Sequence, residues 1–278
     1  MRIVSWNLWW RFGPWEDRQA GIAAELRRLD PDVVLLQEVW SDDDVDQAAR
    51  LAAGLGHHLV RTTRPNGDPQ RFGNAILSRW PIRSSTMVRL PGEDGAPSHR
   101  SVLAATVEAP HGLQPVITTH LAWQYGASAL RSRQLTEVVA LVDRHRSSLA
   151  DSEAPPVILG GDLNAVPESD EIRRLTGLAP PYRDGLVFTD CWAAVGDGPG
   201  YTWTRDNPHA ADALWPRRRL DYVLVTWPRP KPLCNPIAAA LAGTDALPVG
   251  DGDPRSVVPS DHYAVVVDLD DRQTLDHG

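Results

Sequence analysis

The sequence predicts an α+β fold in which two β-sheets pack face to face and helices cover their outer sides. Three observations carry this. Short β-rich runs outnumber amphipathic helical stretches, several of those runs follow one another with no helix between them, and no linker-like segment divides the 278 residues. A strictly alternating parallel sheet would need a crossover helix after nearly every strand.

The elements follow in order. Ile3–Trp6 is a strand, and Arg18–Leu29 spaces apolar residues for a helix that Pro31 stops. Val33–Leu36 is a strand, and Asp43–Leu55 is a helix ended by Gly56. Strands are expected at Ala75–Ser78, Val102–Val107 and Val116–Thr119, a helix at Ala129–Ser148, then strands at Val157–Leu159, Tyr222–Thr226 and Ala264–Val267. The stretches Pro199–Pro216 and Gly243–Pro259 lack either period and read as long loops, which in a compact domain usually serve function. Residues 1–270 are expected to form a single domain and 271–278 a disordered tail.

Charge bounds the partners. A net charge of -8 and a pI near 5.6 set the molecule against polyanions such as duplex DNA or anionic membranes. Arg217, Arg218 and Arg219 form the one dense basic cluster, a run short enough to be a solvated strand edge. Cys191 and Cys234 are too few for a disulfide framework and lack metal-ligand spacing. With no leader-like segment and no run of 18 apolar residues, a cytoplasmic, monomeric protein without a transmembrane segment is expected.

The positions of the polar residues are the informative feature. The first strand ends in Asn7, the second in Gln37-Glu38, the run Val116–Thr119 in His120, and Val157–Gly161 in Asp162. Two later strands are instead preceded by their polar residues, Asp221 and Asp261-His262, so if these two run antiparallel to the others all six ends meet at one rim. A quasi-repeat, SWNLW to LLQEV and THLAW to LGGDLNA, suggests that each half supplies one wall of a cleft. Glu38, Asp162, Asp221 and Asp261 offer hard oxygen donors, which suit magnesium or manganese better than zinc. Carboxylates so crowded repel one another unless a cation or a protonated histidine, His120 or His262, sits among them. Each residue taken singly has a plainer reading: Asn7 as a turn former, Glu38 as a solvated strand end, Asp162 and Asn164 as helix caps, Asp221 as an arginine partner, His262 as a core histidine. Their shared position at strand ends favours the functional reading.

SWN at 5–7, LLQEV at 35–39, GNAILSR at 73–79, TTHL at 118–121, GGDLNA at 160–165, RLDYVLV at 219–225 and PSDHYAV at 259–265 resemble, in order, the motifs of the endonuclease/exonuclease/phosphatase superfamily. The resemblance implies a four-layer α/β/β/α sandwich of two mixed β-sheets and magnesium-dependent hydrolysis of phosphate esters, with manganese as a substitute. It implies Glu38 as main metal ligand with Asn7 and Asp261 near the metal, Asp162 orienting or deprotonating the attacking water, and Asn164 holding the phosphate. Asp221 would fix the tautomer of His262, and His120 would assist the leaving oxygen.

His120 stands where abasic-site nucleases of the superfamily usually carry tyrosine, and WPRRRLDYVL departs from the signature of its inositol polyphosphate phosphatases. His120 is instead similar to the deoxyribonuclease and neutral sphingomyelinase branches, and YTWTRDNPHA at 201–210 resembles the segment before the LDY motif in bacterial sphingomyelinases. Candidates for substrate contact are Asn74, Arg100, Trp9, Trp123 and Trp203; an aromatic rim can stack a base, pack an acyl chain or hold a quaternary ammonium. The expected function is a phosphodiesterase acting on a small-molecule or lipid head-group ester. The alternatives are a nuclease, disfavoured by the acidic balance, and an inactive phosphate-binding module, disfavoured because all eight site residues are present.

Overall fold

The computed structural model describes residues 1–62, 72–146, 155–227, 233–250 and 252–270. The tail expected to be disordered at 271–278 and the expected end of the third helix at Ser148 lie outside these residues. The first half of the chain runs β1 (Arg2–Asn7), α1 (Trp15–Leu29), β2 (Val33–Trp40), α2 (Gln47–Leu55), β3 (His58–Arg61), β4 (Phe72–Ser78), β5 (Ile82–Pro91) and β6 (Pro97–Ala109). The second half runs β7 (Gly112–His120), α3 (Ser128–His145), β8 (Ile158–Asp162), α4 (Asp170–Leu175), β9 (Val187–Asp190), α5 (Cys191–Val195), β10 (Asp221–Trp227), β11 (Asn235–Ala242), β12 (Leu247–Pro248), β13 (Ser256–Val257) and β14 (Ala264–Asp270).

Two six-stranded sheets form, ordered β11-β14-β1-β2-β4-β3 and β5-β6-β7-β8-β10-β9. The central pairs β1–β2 and β7–β8 are parallel, and the other ladders of both sheets are antiparallel. The two orders superpose if β1, β2, β3 and β4 are equated with β7, β8, β9 and β10, which gives the sequence quasi-repeat a topological meaning. Strand alternation sends Ile3, Val33, Leu35, Val265 and Val267 to meet Val116, Ile158, Val223 and Val225 between the sheets. The opposite faces bury Val4, Val34 and Leu36 beneath α1 and α2, and Ile117, Leu159 and Leu224 beneath α3 and α4. The result is the four-layer α/β/β/α arrangement.

Departures from the sequence expectation have local causes. α2 begins at Gln47 rather than Asp43, because Asp42 Oδ1 accepts from Asp44 N and Val45 N in a turn and Asp46 then caps the helix by accepting from Ala49 N at 3.1 Å. The four edge strands β3, β5, β9 and β11 went unseen: β3 and β9 are four residues each, β5 opens on the exposed polar run 83–86, and β11 reads NPIAAALA, poor in β-formers, with a register shift at Pro236 that an edge tolerates. Pro199–Pro216 is irregular as expected, apart from a 3₁₀ turn at Pro208–Ala210 and a bridge from Trp203 to Arg218. No helix among the described residues is long and apolar enough to cross a membrane.

Candidate functional site

β10 runs antiparallel to β8 and β14 antiparallel to β1, so the six polar strand ends meet on one rim. Registers pair His120 with Asp162, Asp221 with Asp162, and Asn7 with Gln37. Glu38 needs a special device. The β2–β4 register shifts between Leu36 and Val39, and Glu38 sits there at φ 55°, the extra residue of a bulge. Val34, Leu36 and Val39 all face the helices, while Gln37 turns between the sheets and donates to Thr118 Oγ1 at 2.9 Å, so the bulge frees Glu38 to enter the cleft. Gly161 is required beside Asp162: at φ +148° an added Cβ would lie 2.0 Å from the Thr119 carbonyl oxygen.

Asp162 is the hub. Its Oδ2 accepts from Asn7 Nδ2 at 3.0 Å and lies 3.3 Å from His120 Nε2 and 3.9 Å from His262 Nε2, while its Oδ1 accepts from Asn164 N at 2.9 Å. Asn164 holds φ 50° and donates from Nδ2 to Leu121 O at 3.2 Å. His262 Nδ1 is 2.8 Å from Asp221 Oδ2, which leaves Nε2 facing the cleft. Asp221 therefore serves the histidine rather than a neighbouring arginine. His120 Nδ1 lies 3.9 Å from Glu38 Oε1.

Electrostatics divide the two histidines. Burial lowers the His262 pKa, but Asp221, Asp261 and Asp162 overcome it and hold the imidazolium well above its ordinary value. His120 is pushed well below its ordinary value by burial, then by Arg100 and His262. Burial, reinforced by Asp221, pushes Asp162 up to about 6, and burial, reinforced by Glu38 and Asp221, pushes Asp261 up to about 7. Glu38 is raised by burial, with Asp162 adding to it and Arg100 and His262 opposing.

A divalent cation suits this donor set. Asp162, Asp221 and His262 offer ligand atoms within 4.8 Å of one another, but Asp221 is bonded to a histidine that these acids keep protonated, and an imidazolium cannot ligate. Glu38 and Asp261 are better candidates: each is raised chiefly by burial, the Glu38 charge adds to the rise at Asp261, and Asp261 Oδ1 is buried with no hydrogen-bond partner.

The cleft measures about 880 Å³ and is lined by Trp9, Arg100, Trp123 and Trp203 among the sequence candidates. Asn74 is a correction. It lines no part of this cleft; its Nδ2 donates to Ser101 O at 2.9 Å, tying β4 to β6 behind Arg100. The arginine triplet splits, with Arg217 pairing with Asp206 at the surface, Arg219 buried against Asp190, and Arg218 in the cleft.

Sequence reasoning missed three residues that shape the site. Arg18 Nη1 donates to Leu8 O and Pro259 O, and its Nη2 to the carbonyls of Trp9, Trp10 and Phe12. Ser260 Oγ donates to Asn7 O at 2.7 Å and accepts from His262 N at 3.2 Å. Thr202 Oγ1 accepts from Leu220 N and Asp221 N. Arg18 alone left a signal, a cation four and eight residues from Ile22 and Leu26 on the apolar stripe of its helix.

The sequence pattern of the Endonuclease/Exonuclease/phosphatase family matches residues 4–262. The chain belongs to this family. Family members are metal-dependent hydrolases of phosphate esters. Similar proteins include Protein angel of Drosophila melanogaster, 28% identical over 176 residues covering 60% of this chain and 48% of that protein. The inositol phosphosphingolipids phospholipase C of Schizosaccharomyces pombe is 28% identical over 210 residues, covering 70% and 46%. The chain thus spans less than half the length of these curated relatives. The fold is similar to D. rerio TDP2 complexed with single strand DNA product, with a TM-score of 0.71, 23% identity and coverage of 96% and 97%.

Proposed function

We propose that this member of the family is a magnesium-dependent phosphodiesterase acting on a small-molecule or lipid head-group ester. The observation that carries the reading is the chain Asp221–His262–Asp162 facing Glu38 and Asp261 across one cleft. Glu38 and Asp261, with Asn7 beside them, would hold the cation, which would supply Lewis-acid polarisation of a phosphoryl oxygen.

The remaining roles belong to the chain's own groups. Charged His262 presents Nε2 to the developing negative charge, and Asp221 fixes its orientation. Asp162, held by Asn7 and by the Asn164 amide, orients the attacking water and accepts its proton. His120 is neutral, lies against Asp162, and assists at the leaving oxygen. Asn164 contacts the phosphate.

The preference for small esters rests on charge. At -8 the molecule repels polyanions, and of the arginines in the loops and strand ends, Arg255 pairs with Asp17 and Asp253 while Arg217 pairs with Asp206. The phospholipase C relative acts on a lipid head group by its name and supports the same choice. The test is hydrolysis of bis(4-nitrophenyl) phosphate with and without Mg²⁺ or Mn²⁺, followed by competition among sphingomyelin, glycerophosphodiesters, inositol phosphates, an abasic duplex and supercoiled plasmid. Turnover that survives exhaustive chelation overturns the metal role. Plasmid nicking faster than every small ester at about 150 mM salt, where surface steering is largely screened, overturns the substrate class in favour of a nuclease.

A further inference from the structure

Arg218 is held by its backbone, donating to Trp203 O at 2.8 Å and accepting from Trp203 N at 3.0 Å. Its guanidinium lies over three rings, Trp215 at 4.6 Å, Trp203 at 5.0 Å and Tyr125 at 5.7 Å, and Tyr125 meets Trp215 edge to face at 5.0 Å. The residue is only 7% exposed, yet it lines the cleft beside Asp162 and His262. Among the described residues this guanidinium makes no hydrogen bond and no ion pair, and its Nε is buried without a partner. Its neighbours Arg217 and Arg219 each have an aspartate. The acid that acts on Arg218 is Asp162, from beyond ion-pair distance.

Burying a guanidinium without an acceptor is costly, and ring faces satisfy its charge but not its in-plane N–H groups. A stacked guanidinium with a free edge matches the paired oxygens of a phosphate.

We propose that Arg218, sheathed by Trp203, Trp215 and Tyr125, is a subsite for a second oxyanion of the substrate, a phosphate group carried beside the scissile ester. The identity of that neighbouring ester rests on the phosphodiesterase reading. The subsite itself is read by binding. Substrates would then be esters with a further phosphate, on a nucleoside or on a polyol.

Calorimetry of the full chain with Mg²⁺ tests this in two arms: thymidine 3′,5′-bisphosphate against thymidine 5′-monophosphate, and myo-inositol 1,4-bisphosphate against inositol 1-phosphate. Wild type should bind the bisphosphate of at least one arm about ten-fold or more tighter, the scale of a charge-assisted paired contact, and that arm identifies the source. Arg218→Gln should bring the two affinities together, and Arg218→Lys, which keeps charge without the fork, should retain part of the preference and serves if the glutamine variant fails to fold. Equal affinities in both arms of the wild type, or a preference that survives in Arg218→Gln, overturns the subsite. Because no turnover is needed, a chain that shows the preference but hydrolyses no diester fails only the phosphodiesterase reading.

Discussion

Replacing Arg18 with Met tests how the cleft wall is held. The side chain is fully buried, and burial lowers its pKa to about 10, opposed by Asp261 and Glu38, so the guanidinium stays charged at neutral pH. It makes five hydrogen bonds to carbonyl oxygens, two at 2.8 Å and three at 3.0 Å. The carbonyls of Leu8 and Pro259 are reached in a buried setting, where losing the donor costs about 1–3 kcal/mol each. Those of Trp9, Trp10 and Phe12 are only part-buried and can turn to water. Removing the guanidinium also relieves its own desolvation, so the net loss should be about 3 kcal/mol. The segment it clamps holds Trp9 and Trp10 at φ 55° and 35°, a strained conformation that persists only while the surroundings impose it. Urea unfolding followed by circular dichroism should therefore show the lower stability. KM for a diester should rise more than kcat falls, because the loop lines the cleft without contributing a reacting group. Arg18→Lys keeps the charge but not the planar fork and should recover less than half of the stability. A loss below about 1 kcal/mol for Arg18→Met, with an unchanged denaturant slope, would refute the clamp.

Three further outcomes are expected. Asp162→Asn and His262→Ala should each lower kcat by at least about 10²-fold with the native circular dichroism spectrum retained, and a variant keeping a tenth of wild-type kcat removes that residue from its role. Asp162 and Asp261, with pKa values of about 6 and about 7, bind protons in the fold that they release when unfolded, so the stability they contribute is lost as pH rises through those values. The metal-free protein should thus lose at least about 1 kcal/mol between pH 6.5 and 8, with the raised His262 adding to the loss, and Mg²⁺, competing with the Asp261 proton, should raise the melting temperature more at pH 8; an equal rise at both pH values contradicts the linkage. Glu25 is buried, accepts two bonds from Arg28 and one from Gly243 N, and the Arg28 bonds hold its pKa below the ordinary value despite burial. Glu25→Gln should cost about 1–2 kcal/mol at pH 7, a difference that fades below about pH 4.5 as the wild-type carboxylate protonates; a pH-independent difference in urea midpoints contradicts this.

The sequence by itself determined the layers and most of the rim. Central strands buried on both faces carry near-continuous apolar runs, and a polar residue ending such a run has to emerge at the sheet's end, so Asn7, His120 and Asp162 were legible from local pattern. Tertiary structure decided what depends on distant partners. Only the antiparallel placement of β10 and β14 brings Asp221 and His262 to Asp162, and only a bulge that shifts the β2–β4 register turns Glu38 into the cleft. The adjacent arginines 217, 218 and 219 look alike in sequence, yet one pairs at the surface, one is covered by Trp203 and Trp215 of its own connection and by Tyr125 from the β7–α3 loop, and one is buried against Asp190. The partners that tell the three apart, Asp206, Tyr125 and Asp190, lie 11, 93 and 29 residues away in the chain, and local propensity carries no information at that range.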